Sequence, residues 1–144
     1  MRIDRLEQAI ATLERVDAEN LPFTLLLFHL PKDQARAQAE AYGDAIYNIN
    51  HPCDTVCCAA GWIGMDPVHQ EQGFTIFENN VTFADKHVIH YNRVGISSYF
   101  ENKDIARYFY PNKGVYKSEN PTLPTVIKEL KKFLAKQKAL QPQI

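Results

Sequence analysis

The chain has 144 residues, with 16 Lys and Arg against 17 Asp and Glu, for a formal net charge of −1. Near-neutrality removes the simplest case for a nucleic-acid or membrane-surface binder, and 45% hydrophobic with 23% charged residues excludes a disordered or fibrous chain. A single globular domain spanning residues 1–144 buries about 70% of the surface its unfolded chain exposes, so it needs no disulfide or metal for stability.

Ile3, Leu6, Ile10, Leu13 and Val16 recur at steps of three or four between charged residues, which predicts an amphipathic helix over about residues 2–18, broken by Asn20, Leu21 and Pro22. The apolar run Phe23 to Leu30 fits a buried strand or a short core segment equally well, and it is too short to span a bilayer. Pro31 at a helix start and Gly43 at a helix end predict a second helix over 32–42. Asp54 or Thr55 can cap a third through Trp62 to Met65, ended by Asp66 and Pro67. Phe74–Phe77 and Val81–Phe83 flank two asparagines and read as a small hairpin near residues 74–83. Helical segments follow at about 84–93, 96–100 and 102–109, then a loop over 112–121 and a last helix with Val126, Ile127, Leu130, Phe133 and Leu134 on one face. The fold class is therefore mainly α with a little β (α+β), a bundle-like single domain.

Charge is uneven along the chain. Residues 1–60 hold nine acids and five bases, net −4, and residues 61–144 hold eight acids and eleven bases, net +3. Five lysines of the last helix (Lys128, Lys131, Lys132, Lys136, Lys138) face one acid, Glu129, so that helix is expected to present a positive surface. Met1 leads directly into Arg2, Asp4, Arg5 and Glu7 without a secretory leader, and the odd set Cys53, Cys57 and Cys58 is no disulfide framework; a cytoplasmic location is expected.

The stretch Cys53-Asp-Thr-Val-Cys-Cys58-Ala-Ala-Gly61-Trp62 resembles the C-G-T-x-x-C-x-x-G-W signature of a family of small proteins from tailed phages and bacterial genomes. Val94-Gly95-Ile96-Ser97, Ala106, Tyr108 to Pro111 and the closing helix through Phe133-Leu134 are similar to that family's F-G-L-S, A-x-x-L-F-x-P and terminal helix, so the resemblance covers about residues 50–135. It departs at Asp54, where the signature has glycine, and at Cys57, an added thiol. The family has no established activity. The resemblance implies a mostly helical fold and an origin in a phage or mobile element, and nothing catalytic.

Three groups of residues could carry chemistry. Cys57 and Cys58 are expected in the first turn of a helix, where free amides and the dipole lower a thiol pKa, and His51, His69, His87 and His90 are the nearest bases in sequence. The favoured reading is that Cys53 and Cys58 pack as small hydrophobes, with Cys53, Cys58, Gly61 and Trp62 as structural residues of the core. Cys53, Cys57, Cys58 and His51 are candidate zinc ligands, but C-x3-C-C lacks a second matched pair, so no metal and no cofactor is expected. Aromatic and basic residues interleave in the C-terminal half, and Arg93, Tyr99, Arg107, Tyr108, Tyr110, Lys113 and Tyr116 are the candidate binding residues, since Tyr and Arg are favoured interface anchors. No G-x-S-x-G, H-E-x-x-H or glycine-rich phosphate loop occurs. The expected function is a small non-enzymatic binding protein, a phage accessory protein that binds and modulates a host protein of defence or transcription. The alternatives are a nucleic-acid-binding module using the basic C-terminal half and a cysteine-dependent enzyme.

Overall fold

The computed structural model describes residues 1–21, 23, 29–31, 55–57, 59–77, 80–83, 86–87, 94–110, 112–118 and 121–141. Helix α1, Ile3–Ala18, forms where the periodicity predicts it and buries Leu6, Ala9, Ile10, Leu13 and Val16. It stops because Asn20 turns left-handed, with φ 53°, and lets the amides of Asn20 and Leu21 bond back to the carbonyls of Asp17 and Val16 at 3.1 Å each. Asparagine tolerates that conformation better than most residues.

Strand β1, His29–Pro31, pairs antiparallel with β2, Thr55–Cys57, with Leu30 opposite Val56. The end of the ambiguous run is a strand at 29–31, one of the two readings left open for it, and one expectation is corrected: the third helix does not begin at Asp54 or Thr55. The β-branched pair Thr55-Val56 joins a ladder instead, and α2, Ala59–Gly64, starts at the next good helix formers. Cys57 is therefore a strand residue, outside any first helical turn, which removes the helix-dipole argument for its activation. Cys53, Cys58, His51 and the predicted helix 32–42 lie outside the described residues.

All six residues of α2 are buried, with Trp62 7% exposed, as expected of a helix apolar on every side. Asp66 then caps α3, Pro67–Gln70, its carboxylate accepting from the Val68 amide at 3.1 Å, with Pro67 in the first turn. Gly73, at φ 91°, makes the left-handed turn into β3. Strands β3, Phe74–Phe77, and β4, Asn80–Phe83, pair antiparallel with Phe74 opposite Phe83, and β5, Lys86–His87, pairs on the other side of β4. The turn that would close β3 and β4 into a hairpin lies outside the described residues. The helix predicted over 84–93 is overturned at Lys86–His87, where the ladder with Thr82 and Phe83 captures the backbone.

Helix α4, Val94–Phe100, ends at a left-handed Glu101, φ 52°, with Asn102 N bonding Ser97 O at 3.0 Å. The helix predicted over 102–109 contracts to a single 3-10 turn, Ile105–Tyr108, opened by Asn102 Oδ1 accepting from the amides of Asp104 and Ile105. Helix α5, Leu123–Leu140, carries Pro124 in its first turn and buries Val126, Ile127, Leu130 and Phe133 as predicted. It packs most extensively on α1. Lys131 reaches Glu14 at 3.1 Å and Lys138 reaches Glu7 at 3.4 Å, so the two helices run antiparallel with contacts repeating every two turns on both. The described structure is mostly helical, and among its residues no helix is long and apolar enough to cross a membrane.

Candidate functional site

Beside its apolar face, α1 carries a second stripe of polar residues, Arg5, Gln8, Thr12 and Arg15, at helical spacing. Each meets the segment 66–72. Arg5 Nε donates to Gln72 Oε1 at 3.0 Å, Gln72 Nε2 donates to Gln8 Oε1 at 2.9 Å, and Arg15 Nη2 donates to Asp66 Oδ2 at 2.8 Å. At the centre, Thr12 Oγ1 lies 2.6 Å from Asp66 Oδ2 and 3.2 Å from His69 Nε2, while His69 Nδ1 lies 2.6 Å from Tyr99 Oη.

Counting protons orders this chain. Burial pushes the Tyr99 hydroxyl up to about 12, so it keeps its proton and donates to Nδ1. The imidazole hydrogen then sits on Nε2 and points at Thr12 Oγ1. Thr12 spends its one hydroxyl hydrogen on the Asp66 carboxylate, a shorter and charge-assisted bond, and not on the Gln8 carbonyl at 3.1 Å. Burial holds the His69 pKa below the usual imidazole value, outweighing the pull of Asp66 in the other direction. Burial also pushes the Asp66 carboxyl up, but the bonds from Thr12, the Val68 amide and Arg15 together hold it below the usual range. The chain is thus neutral at His69 and charged at Asp66 and Arg15, with Arg15 57% and Asp66 9% exposed at its outer end.

A histidine between a threonine hydroxyl and a tyrosine could move protons in an open cleft. Here His69 and Tyr99 are both 0% exposed, and the Tyr99 ring is enclosed by Phe74, Phe83 and Phe100 at centroid distances of 4.7–5.0 Å. No substrate reaches it, and the chain works as a brace tying α1 to α3 and α4. Sequence reasoning missed this brace, although the steps of three and four between Arg5, Gln8, Thr12 and Arg15 were a readable sign that α1 has two occupied faces.

The candidate binding residues separate into core and surface. Tyr99 is the buried hub just described, and Tyr116 is buried with its hydroxyl donating to the Tyr108 carbonyl at 2.8 Å. Burial raises the Tyr116 pKa and, less strongly, that of half-buried Tyr108, which packs on Phe133 at 4.9 Å. Tyr99 and Tyr116 are buried by packing, which corrects their reading as exposed interface residues, while Tyr108 keeps part of its ring exposed. Arg93 lies outside the described residues. Arg107, Tyr110 and Lys113 stay at the surface, and Arg107 and Tyr110 line a depression of about 580 Å³ together with Ser97, Ser98, Lys103, Asp104 and Ala106. Among the described residues, neither Lys103 nor Arg107 makes an ion pair.

The lysines of α5 behave differently. Lys131 and Lys138 pair with Glu14 and Glu7 of α1 and Lys132 with Glu129 of α5 itself, so acids offset three of the five lysines that the residue count makes positive. A groove of about 720 Å³ between the two helices has Glu14 and Asp17 on one wall and Lys128, Lys131 and Lys132 on the other. Among the described residues, no three His, Cys, Asp or Glu side chains converge as metal ligands. Compared with known proteins, the chain matches no family model, no curated protein and no solved structure.

Proposed function

We propose that this chain is a non-enzymatic binding protein that engages a partner protein through the depression between α4 and the 3-10 turn. One observation carries the reading: Lys103 and Arg107, unpaired among the described residues, share a concavity with the hydroxyl-bearing Ser97, Ser98 and Tyr110. Arg and Tyr in a recess are the residues that most often anchor an interface. The sealing of His69 supports a binding role over a catalytic one, and the pairing of three α5 lysines with acids supports a protein partner over nucleic acid. The resemblance of Cys53 to Trp62 to phage proteins supports a partner in a host cell, as a component of defence or transcription.

The test is an affinity pull-down of the tagged protein from bacterial lysate, with and without nuclease, beside an Arg107→Glu variant. The expected result is one stoichiometric protein that survives nuclease and is lost in the variant. Loss of every partner on nuclease treatment would replace this reading with nucleic-acid binding, and capture unchanged in Arg107→Glu would move the interface away from the depression.

A further inference from the structure

We propose that the depression receives carboxylate side chains of an acidic peptide segment, with Arg107 as the anchoring cation; this rests on the depression being the partner-binding surface. The bases of α1 and of its N-cap are already committed. Arg2 pairs with Asp4, Arg15 with Asp66, and Arg5 donates to the Tyr99 carbonyl. Lys103 and Arg107 are not, although both line one concavity.

Arg107 reaches back to the turn that follows it: a Cβ built on Gly114 would lie 3.0 Å from Arg107 Nη2 and 3.1 Å from Asn112 Oδ1. That turn is itself fixed. Asn112 Oδ1 accepts from the Gly114 amide at 2.7 Å, Asn112 Nδ2 donates to Tyr110 Oη at 2.7 Å, and the Tyr116 amide donates to the Asn112 carbonyl at 2.8 Å.

The ligand chemistry follows from the wall's own charges. Asp104 shares the depression with the two cations, so a phosphate dianion, which concentrates its charge at one point, meets repulsion beside attraction. Single carboxylates spaced along a peptide meet Lys103 and Arg107 one at a time and can avoid Asp104. The planar Arg107 guanidinium pairs with one of them in two parallel hydrogen bonds, and the Lys103 ammonium meets another as a point charge.

The experiment is fluorescence anisotropy of a labelled ten-residue glutamate peptide with the full chain, beside a peptide of equal length carrying one phosphoserine among glycines. The expected result is that the glutamate peptide binds more tightly, more weakly as salt rises, and loses about ten-fold in affinity in Arg107→Ala, as removal of a central arginine anchor should. Gly114→Ala, which displaces the guanidinium without removing it, weakens binding by less, and thermal melts establish that each variant is folded. Preference for the phosphoserine peptide, or affinity unchanged in folded Arg107→Ala, would overturn the proposal. Neither peptide binding while a lysate partner is still lost in Arg107→Glu would overturn the acidic ligand and leave the binding surface standing; a lysate partner indifferent to Arg107 would remove both.

Discussion

His69 is an imidazole sealed in the interior, and its surroundings change how it titrates. Its pKa is lowered by burial, so the unfolded chain takes up a proton near pH 6.5 that the folded chain refuses. The unfolded state then binds more protons, and stability, full above about pH 6.5, falls as pH drops below it. Asp66 acts in a lower window. Its folded pKa lies below the usual value, so its contribution is present above about pH 4 and is lost as pH falls through the folded value. Urea denaturation at pH 7.5 and 5.5 should show wild type losing stability at the lower pH, and His69→Gln losing less, because Gln offers a donor and an acceptor but cannot titrate. An equal loss in both would mean that His69 is not the group responsible. At pH 7.5, Thr12→Val should cost about 1–3 kcal/mol, because it removes the buried hydroxyl that faces His69 Nε2–H and leaves Asp66 Oδ2 with Arg15 alone.

At the scale of the element, what the sequence made legible depends on length and on how local the signal is. Helices α1 and α5 were readable because 16 and 18 residues hold several repeats of one apolar period. The segment Thr55–Gly64 was not, because Thr55-Val56 fits a helix start and a strand equally well and its choice rests on Leu30, a residue far away in sequence. The site was harder still. Nothing local distinguishes Tyr99 in the core from Tyr110 nearer the surface, and the brace joins residues 30 to 67 positions apart. One termination motif is open to a simple test. Glu101 holds a left-handed conformation that costs a residue with a Cβ about 1–2 kcal/mol and glycine almost nothing. Glu101→Gly should therefore raise stability by up to about 1 kcal/mol, or Tm by about 2–4 °C, after losing its 3.8 Å contact with Arg2. A lower Tm would show that the turn is not strained.

For the molecule as a whole, α1 is the element that the others share. Its apolar face enters the core, its stripe of Arg5, Gln8, Thr12 and Arg15 holds the segment 66–72, and Glu7 and Glu14 meet α5. The acidic contacts set orientation more than stability, since exposed pairs contribute about 0.2–1 kcal/mol each. Reversing Glu14 to Lys or Lys131 to Glu should each destabilise by that order, and the double reversal should recover most of it, which denaturation of all four proteins measures as a coupling energy. Additive losses would place the two helices in another register. Leu13 asks the larger question. It is wholly buried in the core, so Leu13→Ala should cost about 2–5 kcal/mol, a large part of the roughly 5–15 kcal/mol available to a domain. Because α1 binds the brace, the core and α5 at once, the loss should appear in a single transition. Trp62 fluorescence, which reports α2, and far-UV dichroism, which reports all helices, should shift to the same new midpoint. If dichroism fell while Trp62 kept its wild-type midpoint, α1 and α5 would form a unit that unfolds apart from the 59–77 region, and the brace through Thr12 and Asp66 would not couple them.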